Sequence, residues 1–370
     1  MKKVGIGIIG LDIHYHAHAF GQYLREGMPG AELVAVSDPN GGRAREFAAA
    51  YGARASYTDH QELLTREDVQ AVIVCSYTSA HLAQCVDAAQ AGKHIMVDKP
   101  IACTVADADR MIATSRTAGV FLMTAYPLRF APPYAKARAW IQGGRIGTPV
   151  SGSYAMRIPL PLMKGSRDAK DPGWYVDAEK SGGGGFLDHC VHYADLLRWL
   201  FDSEVASVMG KIGRLTYKDI PIDDYGVAIL CFETGALATI ESSWHGAKWY
   251  GDRATSPDYC VICGTEGEIY IRYHKTPQVE LYAGDQPLEG SSFWDYEGED
   301  RYGSAYRRML ASFIESILSS TPPPVTGEDG RKALEISLAG YLSSLEGREI
   351  KLPIPASFRW TPAVLEPARN

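Results

Sequence analysis

Five short runs rich in Val and Ile, at Val4–Ile9, Glu32–Ser37, Ala71–Cys75, His94–Val97 and Phe121–Ala125, alternate with four amphipathic segments. Those segments are Ala17–Glu26, Gly42–Tyr51, Ala80–Ala91 and Val105–Thr117. Few architectures accept this alternation. A strand that is apolar throughout is covered on both faces, and a helix between two strands returns the chain to pair in parallel. Crossovers are right-handed, so the pattern predicts an α/β domain with a doubly wound parallel sheet, ending near residue 123.

Beyond residue 150 the pattern changes. Ser151–Arg157, Val205–Arg214, Tyr225–Phe232, Ala236–Trp244, Tyr259–Gly264 and Glu268–Arg272 read as strands, with Glu233-Thr-Gly235 and Thr265-Glu-Gly267 as tight turns. Consecutive hairpins make an open, mostly antiparallel sheet, and helices at Tyr302–Ser319 and Gly330–Leu345 complete an α+β domain. A chain of 370 residues exceeds one ordinary core, which supports a division into 1–123 and 124–370.

A net charge of −7 with no basic run argues against nucleic acid or an anionic membrane as partner. The apolar start is too short for a secretory leader and reads as a first strand, and no segment is long enough to span a bilayer. Seven scattered cysteines fit reduced thiols in a cytoplasmic protein. Cys260 and Cys263 have a metal-like spacing, but on a strand they point to opposite faces. On a helix, likewise, His16 points away from His14 and His18, so no metal site is expected.

Ligands of such a parallel sheet bind at the carboxyl ends of its strands. The first strand ends at Gly10 and the second at Asp38, where an acid accepts hydrogen bonds from an adenosine ribose and repels a 2′-phosphate. Asp38 therefore favours NAD over NADP, although Asp38-Pro-Asn-Gly is also good turn chemistry. A second notable stretch is Ser181-Gly-Gly-Gly-Gly-Phe-Leu-Asp-His-Cys-Val-His-Tyr-Ala-Asp195. If a helix begins near Gly185, Asp188, His192 and Asp195 share one face, as a general base and its orienter would. The glycines would let the backbone approach a ligand. A helix-capping loop with a surface Asp–His pair is the plainer alternative.

Several motifs in order now carry a resemblance: Ala91-Gly-Lys-His-Ile-Met-Val-Asp-Lys-Pro100, Tyr126-Pro-Leu-Arg-Phe-Ala-Pro132, Gly144-Arg-Ile-Gly147, the glycine stretch, Phe232-Glu-Thr-Gly-Ala-Leu-Ala-Thr-Ile240 and Gly264-Thr-Glu-Gly267. Over most of its length the chain resembles the Gfo/Idh/MocA oxidoreductases, named for glucose–fructose oxidoreductase and inositol dehydrogenase. That resemblance implies a Rossmann domain followed by a sheet domain that forms homodimers or homotetramers. It matches Lys99 to the lysine of the family's Glu-Lys-Pro motif, and Asp188 and His192 to its acid and histidine. His192 would take the hydroxyl proton, Lys99 would stabilise the developing alkoxide, and Asp188 would bind a second hydroxyl or orient the imidazole. Gly10, Asp12, Ile13, His14, Ser76, Tyr77, His81 and Asp98 fall where the family's cofactor passes. Arg129, Arg157, Trp174 and Tyr175 are candidates for a substrate wall.

The departures matter. In Gly10-Leu-Asp12-Ile-His-Tyr15, Asp12 and Tyr15 replace two of the three glycines of the family's dinucleotide turn. Asp98 stands for a glutamate, Pro127 for a common Asn and Cys190 for a glycine. A carboxylate at position 12 meets the pyrophosphate, so Asp12 is expected to turn away and cap the following helix, leaving amides around Leu11–His14 for the phosphates. The function expected is an NAD-dependent dehydrogenase acting on a secondary hydroxyl of a sugar, polyol or glycoside. Two alternatives are a redox-neutral, NAD-retaining glycosidase or lyase of the same family, and a catalytically silent ligand sensor.

Overall fold

A computed structural model describes residues 3–158, 160, 173–244, 259–272, 278–283, 292–295 and 303–365. The chain divides into two compact units that do not follow a single cut in the sequence. The first comprises Met1–Tyr126, Glu179–Gly182 and Tyr306–Lys332, and the second Pro127–Ala178, Gly183–Ala305 and Ala333–Asn370.

In the first unit the strands are β1 (Val4–Ile9), β2 (Ala31–Ser37), β3 (Ala55–Tyr57), β4 (Ala71–Val74), β5 (His94–Val97) and β6 (Leu122–Thr124). They form one parallel sheet in the order β3-β2-β1-β4-β5-β6. The helices are α1 (His14–Arg25), α2 (Gly41–Tyr51), α3 (His60–Leu64), α4 (His81–Gln90) and α5 (Val105–Ala118). β1 and β4 are buried along their whole length, as apolar runs covered on both faces require. The strand order reverses between β1 and β4, and the crevice outside their carboxyl ends is where such a sheet binds its ligand. β3 and α3 are short and amphipathic at best, and nothing in the hydrophobic pattern marks them.

The helix α8 at Gly303–Ser319 was expected in the second domain, yet from Tyr306 onward it clusters with the first unit. The cause is specific. The Tyr306 hydroxyl meets His16 Nε2 at 2.6 Å, Arg307 pairs with Glu26, and Leu318 lies within 2.8 Å of where a Gly30 Cβ would stand.

The second unit is built on β7 (Pro149–Arg157), β8 (Val205–Gly213), β9 (Tyr225–Phe232), β10 (Leu237–Ser243), β11 (Tyr259–Gly264), β12 (Gly267–Arg272), β13 (Gln278–Ala283), β14 (Ser292–Asp295) and β15 (Ile350–Lys351). Their order is β14-β13-β12-β11-β7-β10-β9-β8-β15, and only β7 with β10 is parallel. Alternation along β9 buries Gly226, Ala228, Leu230 and Phe232 and turns Tyr225, Val227, Ile229 and Cys231 to the other face. The unit also contains a 17-residue helix at Gly185–Phe201, beginning where the sequence predicts. Among the described residues, no helix is long and apolar enough to cross a membrane. All seven cysteines are free, and Cys260 is buried while Cys263 on the opposite strand face is half-buried.

Replacing Tyr306 by Phe removes a buried partner of His16 and leaves an imidazole nitrogen to be desolvated without it. Tyr306→Phe is expected to lower the unfolding free energy by about 1–3 kcal/mol, read from urea unfolding. An unchanged midpoint would show that the contact contributes nothing.

Candidate active site

The helix at Gly185–Phe201, here α7 in chain order after α6 (Pro132–Gln142), carries Asp188 in its first turn and His192 one turn later. A helix start leaves its first amides without backbone acceptors. Gly184 in the cap position has no side chain to offer, so the cap comes from elsewhere. The Asp223 carboxylate accepts from the Gly184 amide at 3.0 Å and the Phe186 amide at 2.8 Å. The Asp223 carbonyl takes the Gly185 amide at 2.9 Å, and the Tyr341 hydroxyl lies 3.3 Å from the Leu187 amide. That hydroxyl in turn donates to Asp223 at 2.8 Å. Asp223 and Tyr341 thus cap the helix from 37 and 154 residues away.

Gly184 also has a reason within the protein itself. A Cβ on Gly184 would stand 2.1 Å from the Asp223 carbonyl oxygen, so the close approach that the glycine permits is to this protein's own backbone. Burial is the largest influence on Asp223 and pushes its carboxyl up to about 7, against the opposing pull of the Phe186, Tyr341 and Gly184 donors.

Farther along α7, the Trp244 indole donates to Asp188 Oδ2 at 2.9 Å, which keeps that carboxylate an acceptor in a fixed orientation. Asp188 and His192 are both buried. Asp195, on the same face, is bidentate with Arg129. The Arg129 guanidinium, a substrate-wall candidate, is therefore engaged by α7 itself. Arg157, another candidate, grips Glu241 on the neighbouring strand with both nitrogens. Trp174 and Tyr175 stack with centroids 3.9 Å apart, Trp174 half-buried and Tyr175 buried.

In the first unit, β1 ends at Gly10, whose φ of +77° and 1.9 Å approach of a notional Cβ to Ser76 Oγ admit only glycine. The expected cap by Asp12 is not formed. Ile13 holds the cap position of α1 and no side chain caps it, because Asp12 is drawn the other way. Its Oδ1 accepts from Arg43 Nη2 at 3.0 Å, and its Oδ2 lies 3.4 Å from the Tyr77 amide. The same Arg43 is bidentate with Asp38, at 3.0 Å from Nε and 2.6 Å from Nη2. Asp38 also accepts from the Leu11 and Asn40 amides at 3.0 and 2.8 Å. The Leu11 and Ile13 amides, expected to face phosphate, are thereby committed, the latter to the Cys75 carbonyl at 2.9 Å.

His81 is wholly buried, with Nε2 2.9 Å from the Ser76 carbonyl and Nδ1 3.0 Å from the Pro100 carbonyl. It clamps the loops after β4 and β5, and burial lowers its pKa. Asp98 spans two neighbours: Oδ1 accepts the Lys99 amide at 2.7 Å and Oδ2 bonds His16 Nδ1. Tyr306, His16, Asp98 and the Lys99 backbone form one buried chain. Of the three N-terminal histidines, His16 thus goes to Asp98 and His18 to the Tyr51 hydroxyl at 2.7 Å.

Comparison with known proteins decides the lineage. The signature of the oxidoreductase family with an NAD-binding Rossmann fold (GFO/IDH/MocA) matches residues 4–126, and that of the GFO/IDH/MocA C-terminal domain matches residues 134–270. The chain belongs to the GFO/IDH/MocA oxidoreductases. It is 32% identical to the myo-inositol 2-dehydrogenase of Thermotoga maritima, over 94% of this chain and 98% of that one. It is 29% identical to the scyllo-inositol 2-dehydrogenase (NAD(+)) of Bacillus subtilis, over 96% of each. A levoglucosan dehydrogenase in complex with NADH and levoglucosan has the same fold, with a TM-score of 0.84 at 20% identity, over 95% of this chain and 100% of that one.

The first unit of this GFO/IDH/MocA chain fits NAD on its own geometry. The strand order, the glycine turn at Gly10, the helix start without a side-chain cap and the acid closing β2 are the elements that hold a dinucleotide. The residues that sequence reasoning missed are Arg43, His16 in its role beside Asp98, Asp223, Tyr341 and Trp244. Only the last two carry a local hint, as aromatics with a polar atom to satisfy.

The Asp223 carboxyl has its pKa raised above the ordinary value by folding, so the folded state holds a proton that the unfolded state has released. Its contribution to stability is complete below about pH 4 and lost as pH rises towards 7. Across that window the wild type is expected to lose stability relative to Asp223→Asn, by on the order of 3–4 kcal/mol at most. Parallel denaturation curves of the two proteins at several pH values check this, and a pH-independent difference would contradict it.

Proposed function

We propose that this enzyme transfers a hydride between NAD and a secondary hydroxyl of a polyol or sugar, with Lys99, Asp188 and His192 as its catalytic groups. The observation that carries the reading is the arrangement of α7. An acid and an imidazole lie one turn apart on a buried helix, and the acid is oriented by the Trp244 indole. The inositol dehydrogenases similar to this chain support a cyclic polyol as the first substrate to try.

Oxidation of a carbinol breaks one C–H and one O–H bond and forms C=O. NAD supplies the hydride acceptor. His192 takes the hydroxyl proton, a task suited to an imidazole, which can accept a proton at one ring nitrogen. Lys99 donates to the same oxygen and stabilises the charge that grows on it. Asp188, held by Trp244, accepts a hydrogen bond from a second substrate hydroxyl and so fixes the carbon presented. Arg129, Arg157, Trp174 and Tyr175 remain the proposed substrate wall, with the two arginines acting through their carboxylate partners.

His192→Ala is expected to lower kcat by about 10²–10⁴-fold while NAD still binds, in an assay of NADH formation over a panel of inositols, sugars and glycosides. Lys99→Met is expected to reduce kcat comparably, because an alkoxide stabiliser acts mainly in the transition state. Wild-type turnover in His192→Ala would remove that residue from the mechanism, and no NADH from any member of the panel would remove the reading.

The protein is further proposed to be a cytoplasmic homodimer or homotetramer. Free cysteines throughout suit a reducing compartment. Met209, Ile229 and Leu237 stand exposed on the second unit's sheet, with Val227 and Cys231 half-buried beside them. An apolar sheet face of this kind is normally covered. Light scattering at micromolar concentration is expected to give a multiple of the 40.4 kDa chain mass; a monomer mass would refute the assembly.

A further inference from the structure

Asp12 is the anomaly of the dinucleotide turn. The residue at this position of such a turn faces the pyrophosphate, and a carboxylate adds like charge there. The structure leaves the Asp12 side chain 18% exposed. What the structure supplies is Arg43, whose Nη2 reaches both Asp12 and Asp38. Without Arg43 the two carboxylates would add two negative charges near a pyrophosphate that itself carries two.

Asp38 adds a second consideration. Its two oxygens offer about four acceptor positions, and four donors occupy them: the Asn40 and Leu11 amides and two nitrogens of Arg43. A ribose hydroxyl reaches Asp38 only by displacing one of these. Two are backbone amides fixed by the turn, whereas the Arg43 side chain is 43% exposed and movable. Asp12 provides the place where a displaced Arg43 remains.

We propose that Arg43 is a positioning residue for the cofactor: it neutralises Asp12, and thereby lets this turn hold a pyrophosphate where the family's glycine is missing. The proposal rests on NAD binding by the first unit. Its rival is an ordinary surface ion pair of negligible effect, since exposed pairs commonly contribute little. The rival predicts no coupling between Arg43 and Asp12 in cofactor affinity.

The test is the dissociation constant of NAD for the full chain, measured by titration calorimetry without substrate. Wild type, Arg43→Ala, Arg43→Lys, Asp12→Gly and the double variant Asp12→Gly/Arg43→Ala are compared. Arg43→Ala is expected to weaken binding about tenfold or more at low salt, a change of roughly 1.4 kcal/mol, and the loss should shrink as salt screens the repulsion. Arg43→Lys, which keeps the charge, should retain most of the affinity. Asp12→Gly should bind as wild type or tighter, and in its background Arg43→Ala should cost little. An unaltered Arg43→Ala overturns the proposal, as does a double variant no better than Arg43→Ala, which would place the whole role of Arg43 on Asp38 or on folding. Absence of NAD binding in folded wild type would overturn both the proposal and the reading beneath it.

Discussion

The carboxylate of Asp223 decides where the helix bearing Asp188 and His192 begins. Four glycines offer no capping side chain and cannot by themselves stop the helix from starting a residue early or late. A start shifted by one residue rotates every side chain on the helix by about 100°. Asp223 and Tyr341 remove that freedom by taking up the amides of Gly184, Phe186 and Leu187. Trp244 and Arg129 then fix the acids one and three positions into the same face, Asp188 and Asp195. The two acids are held in place because each is buried and bonded to a polar partner, the condition under which such networks specify a single arrangement.

The first unit solves a comparable problem by a different route. There the acids are near one another instead of being dispersed among amides, and one arginine serves two of them. Asp98 is treated differently again. Buried beside Lys99, it is shared between a backbone amide and His16. A glutamate at position 98 would reach one methylene farther, towards the space that the His16 ring fills. The shorter acid and the buried histidine therefore read as a matched pair.

Much of this was legible in the sequence, and the reasons are physical. Strands such as β1, β4 and β5 are apolar throughout because both faces are covered, and they announce themselves. The helix at Gly185, with Asp188 and His192 on it, follows from local signals alone. What escaped is whatever depends on long-range pairing. Neither β3, three half-buried residues at a sheet edge, nor the placement of Tyr306 against His16 has any local signature. Asp12 shows the limit well. Its conflict with phosphate could be foreseen from the turn, but local reasoning supplied a local remedy, a helix cap. The actual partner, Arg43, lies in the first turn of α2 and is reached only after the chain has passed along β2. Nor does any local signal mark Asp195 as the partner of Arg129, 66 residues away.

The contact between Tyr306 and His16 has a consequence for how the protein is made. Residues 1–126 leave the ribosome long before α8, yet the unit they belong to is not whole without Tyr306–Lys332. The buried carboxylate of Asp98 and the ring of His16 must wait for a phenol encoded almost at the other end of the message. The hydrogen-bonded chain through His16 and Asp98 is therefore complete only once residue 306 has been made. Most of the second unit is synthesised inside that interval. A nascent chain that ends before residue 306 would hold residues 1–126 without the distant segment that completes their unit.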